Sequence, residues 1–287
     1  MLRQTKLIAA SVGLILAMGL GAFSAPAVAG TTQAELKDVK WSFEGPFGKF
    51  NQEQLQRGYK VYHDVCSACH SMNLLSYRNL ADKGGPFYSD KYPNPNESPY
   101  AKAIAMDFMV PDIDTDTGDA ITRPATPSDH FKAPFANEYA AKAANGGSAP
   151  PDLSLMAKAR EGGPRYIYSI LTGFADAPAG LMVPPGKYYN PYFPGDLTSF
   201  WNGPGKAPTG GFISMPPPLT PDRVTFDDGT KATVAEEAWD VAAFLAWAAE
   251  PHQEERKQTG FAVLIYLLLF SGVLYASYRT IWRKISH

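Results

Sequence analysis

A mainly α-helical, loop-rich domain on a single C-terminal membrane-spanning helix is what the sequence predicts, on three observations. Leu55, Tyr59, Tyr62, Cys66 and Cys69 recur at spacings of three and four, and a second helical pattern runs from Thr233 to Glu250. Gly and Pro contribute 25 residues each to a chain of 287, so long stretches of loop and turn must join the helices. Phe261 to Tyr278 is an apolar run of 18 residues without a charge.

Composition narrows the class further. At 45% hydrophobic and 19% charged residues the chain is neither disordered nor polytopic, and one core can form within it. Two cysteines cannot build a disulfide scaffold or a zinc module of three or four thiolates. No period recurs, which excludes a repeat protein.

The ends read as targeting and anchoring segments. Arg3 and Lys6 precede an apolar run from Leu7 to Phe23, and Ala27-Val28-Ala29 follows, the layout of a secretory signal peptide over residues 1–29. Export would place residues 30–258 in the periplasm. The C-terminal run, extended to residues 259–280, approaches the roughly 30 Å of a bilayer core at about 1.5 Å per residue. Tyr275, Tyr278 and Trp282 suit the interface, and Arg279, Arg283 and Lys284 suit a cytoplasmic tail over 281–287 of a cell inner membrane protein. Between the ends, residues 30–250 hold 19 of the 26 Lys and Arg and 26 of the 28 Asp and Glu, a net charge of −7. That balance argues against nucleic acid; it serves solubility or steers a basic partner.

The first helix carries the chemistry. Asn51 is its expected cap, and Gly58 would let another helix approach closely. Both cysteines fall in Cys66-Ser67-Ala68-Cys69-His70, the spacing of covalent haem attachment. On a helix, positions i, i+3 and i+4 share a face, so two thiols can meet the haem vinyl groups beside an imidazole for the iron. A thioredoxin-like pair would sit at a helix start instead. A zinc site would need a second cluster, and His63, His130, His252 and His287 are scattered. A disulfide between Cys66 and Cys69 would leave His70 unexplained. The fold class is therefore a mainly α, loop-rich c-type cytochrome domain.

A methionine suits the iron's sixth position in an electron-transfer site, because a thioether raises the reduction potential and closes the iron. Met72 is too close to His70, and Met106, Met109 and Met156 read as core packing. Met182 and Met215 remain open, and the three prolines after Met215 favour it by fixing an extended backbone. The second helix has a capping box at Thr233 and Glu236, acidic residues Glu237 and Asp240 in its first turns, and a stop at Pro251. Asp112-x-Asp114-x-Asp116 starts like a calcium loop, but Thr117 and Arg123 occupy its sixth and twelfth positions, so it reads as an acidic surface loop.

These residues, with others in order, resemble the cytochrome c1 family, the haem subunit of bacterial cytochrome bc1 complexes (ubiquinol–cytochrome c oxidoreductases). The resemblance runs over most of residues 41 to 285. It rests on Arg57-Gly58-Tyr59-x-Val61-Tyr62 before the haem motif, Pro150-Pro151-Asp152-Leu153-Ser154 and Ala159-Arg160-x-Gly162-Gly163. Tyr189-Asn190-Pro191-Tyr192-Phe193-Pro194-Gly195, Met215-x-Pro217-Pro218 and Trp247-Ala248-Ala249-Glu250-Pro251 complete it. The resemblance implies one covalent haem c on Cys66 and Cys69, axial ligation by His70 and Met215, and a propionate neutralised by Arg160. Asn145, Pro150, Pro151 and Tyr166 fall where the family lines its haem pocket. It also implies partners: cytochrome b, the Rieske iron–sulfur protein as donor, a cytochrome c as acceptor, and the membrane. Such a subunit transfers electrons and is not a catalyst by itself. The sequence departs in the long stretch between Gly195 and Met215, which lacks the cysteines that pin an insertion in some bacterial members. The rival reading is a tethered c-type cytochrome serving a terminal oxidase or a periplasmic dehydrogenase.

Overall fold

The computed structural model describes residues 32–283. The expected signal peptide (1–29) lies outside the described residues, as do residues 284–287 of the expected tail.

Helix α1 spans Gln52–Val61, and Asn51 caps it by accepting from the Gln54 amide at 2.8 Å. The chain then widens into a π-helical turn over Tyr62–Cys66, so the C-x-x-C-H motif starts at an irregular helix end rather than a regular one. Ser76 and Asn79 cap a 3₁₀ turn at Tyr77–Ala81, and α2 follows at Pro99–Met106. Strands β1 (Met109–Ile113) and β2 (Ala120–Pro124) form an antiparallel hairpin. The expected acidic loop is thus the turn and flank of a hairpin, with Asp112 paired to Arg123 across the two strands. Three short helices come next: α3 at Glu138–Ala144, α4 at Met156–Ala159 and α5 at Pro164–Leu171.

The long stretch after Gly195 has an ordered explanation. Strand β4 (Gly211–Ile213) pairs antiparallel with β3 (Tyr188–Asn190), and a 3₁₀ turn occupies Thr198–Phe200. Leu181, Tyr189 and Leu197 are buried there against Phe200, Trp201 and Phe212, a small second core that needs no disulfide.

The main core surrounds α6, Val234–Ala249. Every residue from Glu237 to Ala249 except Trp239 is buried, so this helix is enclosed on all sides. Thr233 accepts from the Glu236 amide at 3.2 Å, but the Glu236 carboxylate faces Arg57 instead of closing the capping box. Helices α1, α4 and α5 pack on α6. At the α1 crossing a Cβ on Gly58 would stand 2.1 Å from the Asp240 carbonyl oxygen, so only glycine permits this approach. Tyr59 and Tyr62 of the crossing meet the Phe244 ring, which stacks on Trp247. Beside them the fully buried Asp240 accepts from Arg57 Nε at 2.7 Å and Nη2 at 3.1 Å. Those acidic residues are therefore interior, where burial holds Asp240 high, at about 6, despite the Arg57 guanidinium.

After Pro251, α7 runs from Gln253 to Trp282, 30 residues, and is long and apolar enough to cross a membrane. It starts six residues before the expected anchor, and those residues hold the protein's body. Glu254 accepts from the Phe50 amide at 2.8 Å, and Lys257 Nζ donates to the carbonyl oxygens of Phe43 and Gly48.

Candidate functional site

The Cys66–His70 segment keeps one helical turn beyond the π-helical stretch. The amides of Cys69 and His70 both donate to the Cys66 carbonyl, at 3.1 and 2.9 Å. That geometry sets both thiols and the imidazole on one turn. Both cysteines are free, Cys69 exposed and Cys66 partly covered. Burial, with Cys69 beside it, pushes the Cys66 thiol up to about 12, so it is uncharged at neutral pH. Among the described residues no group of three or more His, Cys, Asp or Glu gathers to hold a metal ion.

His70 is fixed from outside its own helix. Its Nδ1 lies 2.8 Å from the Pro151 carbonyl oxygen, which can only accept, so Nδ1 carries the proton. Burial lowers the pKa of the ring and keeps it neutral, and the Nε2 lone pair is left for a metal.

The segment that supplies Pro151 lies along the haem motif's exit. Leu153 donates its amide to the Ser71 carbonyl at 2.9 Å, and Asp152 accepts from Ser71 Oγ and the Asn73 amide, both at 2.8 Å. Burial alone would raise the Asp152 pKa; hydrogen bonds from Ser154, Asn73 and Ser71 hold it below the usual carboxylate range. Upstream, Ser148 Oγ lies 3.0 Å from Ser214 Oγ, which also accepts from Lys187 Nζ at 2.6 Å. Ser214 immediately precedes Met215. The 148–154 strip therefore ties the Met215 loop to the His70 imidazole.

The two methionines differ in their surroundings. Met215 is half-buried, and its sulfur has no hydrogen-bond partner among the described residues. Met182 is 51% exposed, and its sulfur accepts from Asn202 Nδ2 at 3.2 Å. Of the methionines read as packing, Met156 does join the core, whereas Met106 and Met109 are 65% and 43% exposed. Met72 is fully buried.

The other expected pocket residues divide. Pro150 is half-buried and Pro151 exposed, on the same strip. Asn145 ends α3, and its Nδ2 donates to the Ala141 carbonyl at 2.8 Å, so its amide serves the helix end. Arg160 is exposed and reaches the hydroxyl of the buried Tyr166, whose pKa is raised by burial. Among the described residues no hydrogen bond joins that pair to Cys66–His70. Two free thiols one turn apart, a neutral imidazole with Nε2 available and an unpartnered thioether on a tethered loop fit a covalently held haem. Ser148, Lys187 and Ser214 escaped the sequence reading, and Asp152 entered it only as a mark of the resemblance with no role given. Asp152-x-Ser154, whose carboxylate and amide form a local turn at 2.8 Å, was the one signal available.

A profile described as the Cytochrome C1 family matches residues 41–285. The chain belongs to the cytochrome c1 family. The cytochrome c1 of Rhodospirillum rubrum is 44% identical, with 96% of each chain covered. A cytochrome b/c1 of Bradyrhizobium diazoefficiens is also 44% identical over 85% of this chain, which spans about a third (35%) of that longer relative. A protein of Arabidopsis thaliana named "Cytochrome c1 1, heme protein, mitochondrial" is 41% identical over 91% of this chain and 76% of its own length. The cytochrome c1 match thus covers both the thiol-bearing helix and the apolar α7.

Proposed function

We propose that this chain is the haem-bearing electron-transfer subunit of a bacterial cytochrome bc1 complex, held in the inner membrane by α7 with its body in the periplasm. It takes an electron from a Rieske iron–sulfur protein and passes it to a cytochrome c. The observation that carries the reading is the 148–154 strip, which binds the His70 ring at one end and the Met215 loop at the other. Cys66 and Cys69 would hold the haem through their sulfurs, and His70 Nε2 and the Met215 sulfur are the groups that would ligate its iron. When bound, haem supplies one-electron exchange at its iron. Pro151 orients the imidazole, Arg160 offers a cation for a propionate, and Asn145, Pro150 and Tyr166 line the pocket. No general acid or base is required of the chain.

The test is quinol-driven reduction in membranes. Adding ubiquinol should reduce the haem of this chain, and removing the Rieske protein should abolish that step while leaving reduction by ascorbate intact. Subsequent addition of an oxidised soluble cytochrome c should reoxidise it. Undiminished quinol-driven reduction without the Rieske protein would favour the rival reading of a cytochrome serving another enzyme.

A further inference from the structure

Where the body meets α7, one large apolar side chain is displayed outward with no part in either core. Phe47 is 73% exposed, and its ring lies edge-on to that of Phe261, centroids 5.6 Å apart. Phe261 opens the charge-free run that ends at Tyr278. Phe47 therefore lies at the height where the helix enters hydrocarbon, whatever the tilt of the body.

The loop that presents Phe47 is held on both sides. Gly45 takes a left-handed conformation at φ 74°, and a Cβ on Gly48 would stand 2.0 Å from the Glu44 carbonyl oxygen. The Lys49 amide donates to the Ser42 carbonyl at 3.0 Å. From α7, Lys257 Nζ donates to the carbonyls of Phe43 (2.7 Å) and Gly48 (3.3 Å), and Glu254 takes the Phe50 amide. Trp41 and Phe43 are buried beneath, so Phe47 cannot fold inward. A rigid loop that exposes an aromatic ring to water loses burial worth about 2 kcal/mol. At a bilayer interface an aromatic ring is instead well placed.

We propose that residues 44–49 form a second membrane contact of this chain, with Phe47 seated in the interfacial lipid beside Phe261. Lipid is the occupant because the patch is continuous with the spanning helix through the Phe47–Phe261 contact. The inference rests only on α7 as a membrane span and holds whatever the electron path.

Spin-label accessibility tests it. The full-length chain with Phe47→Cys, labelled with a nitroxide, is placed in phosphatidylcholine nanodiscs, and its exposure to oxygen and to a water-restricted nickel chelate is measured. Labelled Phe261→Cys marks the edge of the span and Asn96→Cys an exposed site on the body; the parent chain reports any background from Cys66 and Cys69. The oxygen-to-nickel ratio at position 47 should exceed that at position 96 several-fold and approach that at 261. A ratio equal to that at 96 overturns the proposal. Low access to both reagents overturns it too, since protein then covers the loop. Should Phe47→Cys fail to accumulate, quenching of Phe47→Trp by brominated lipid, read against the parent, gives the same decision.

Discussion

At the scale of single residues, the choice between Met182 and Met215 turns on what each sulfur already does. The Met182 sulfur accepts from Asn202, whereas Met215 follows a serine tied to the strip that orients His70. Met215→Leu keeps the volume and removes the sulfur. It should abolish the weak near-infrared band of sulfur-to-iron coordination and lower the reduction potential, with the haem still attached at Cys66 and Cys69. Met182→Leu should leave both unchanged, and the reverse pattern would falsify the assignment. The thiols and His70 were legible in the sequence because their geometry is local, one helical turn of consecutive residues. Pro151 was named only as a pocket residue, and its carbonyl contact to His70, like the Ser148–Ser214 pair, was not legible, because these contacts cross 81 and 66 positions of the chain. A carbonyl that orients an imidazole leaves no mark on residue type.

At the scale of elements, α1 and α6 carry the site, and their crossing has no spare room. Gly58→Ala would drive a Cβ to 2.1 Å from the Asp240 carbonyl oxygen and 2.7 Å from Phe244 Cβ. Overpacking at such a contact costs about 1–3 kcal/mol or more, and chemical denaturation of the holoprotein should show it as a lower midpoint. A second prediction concerns Glu237, fully buried, with Oε1 accepting from the Val224 amide at 3.2 Å and Oε2 without a partner among the described residues. Burial raises its pKa above the usual carboxylate value. Below that usual value both folded and unfolded states hold the proton, and its stabilising contribution is complete. As pH rises past it, the unfolded state ionises first and stability drains away until the raised folded value is passed. Glu237→Gln removes this drain, so the variant should gain on the parent between pH 5 and pH 8; a constant difference across that range would count against it. Both helices were readable from caps and spacing, and Gly58 from its place on α1. The two strand pairs were not, because strands of only three to five residues, two of them holding a Pro, are too short to show the alternation that marks a strand. Their pairing comes from the partner strand, not from propensity.

At the scale of the whole molecule, two properties act together: a body fixed to its anchor and a surface of one prevailing sign. Only Glu250, Pro251 and His252 separate α6 from α7, and Glu254 and Lys257 bind the first turns of α7 back to the body. The body therefore has no flexible stalk with which to seek a partner, and an acceptor must come to it. The anchor and the charge were plain in the sequence, but this locked junction joins residues more than 200 positions apart and was not. With a net charge of −7 over residues 30–250, long-range attraction favours a basic acceptor. Screening shortens that attraction as salt rises. The second-order rate of electron transfer to a basic soluble cytochrome should therefore fall on the order of tenfold or more between about 10 and 200 mM salt. An acidic cytochrome should react more slowly at low salt and speed up as salt is added, while a neutral small-molecule oxidant should show neither trend. Stopped-flow oxidation of the detergent-solubilised full chain separates these cases. A flat salt profile with the basic acceptor would mean that the acidic surface serves solubility and that docking relies on contact alone.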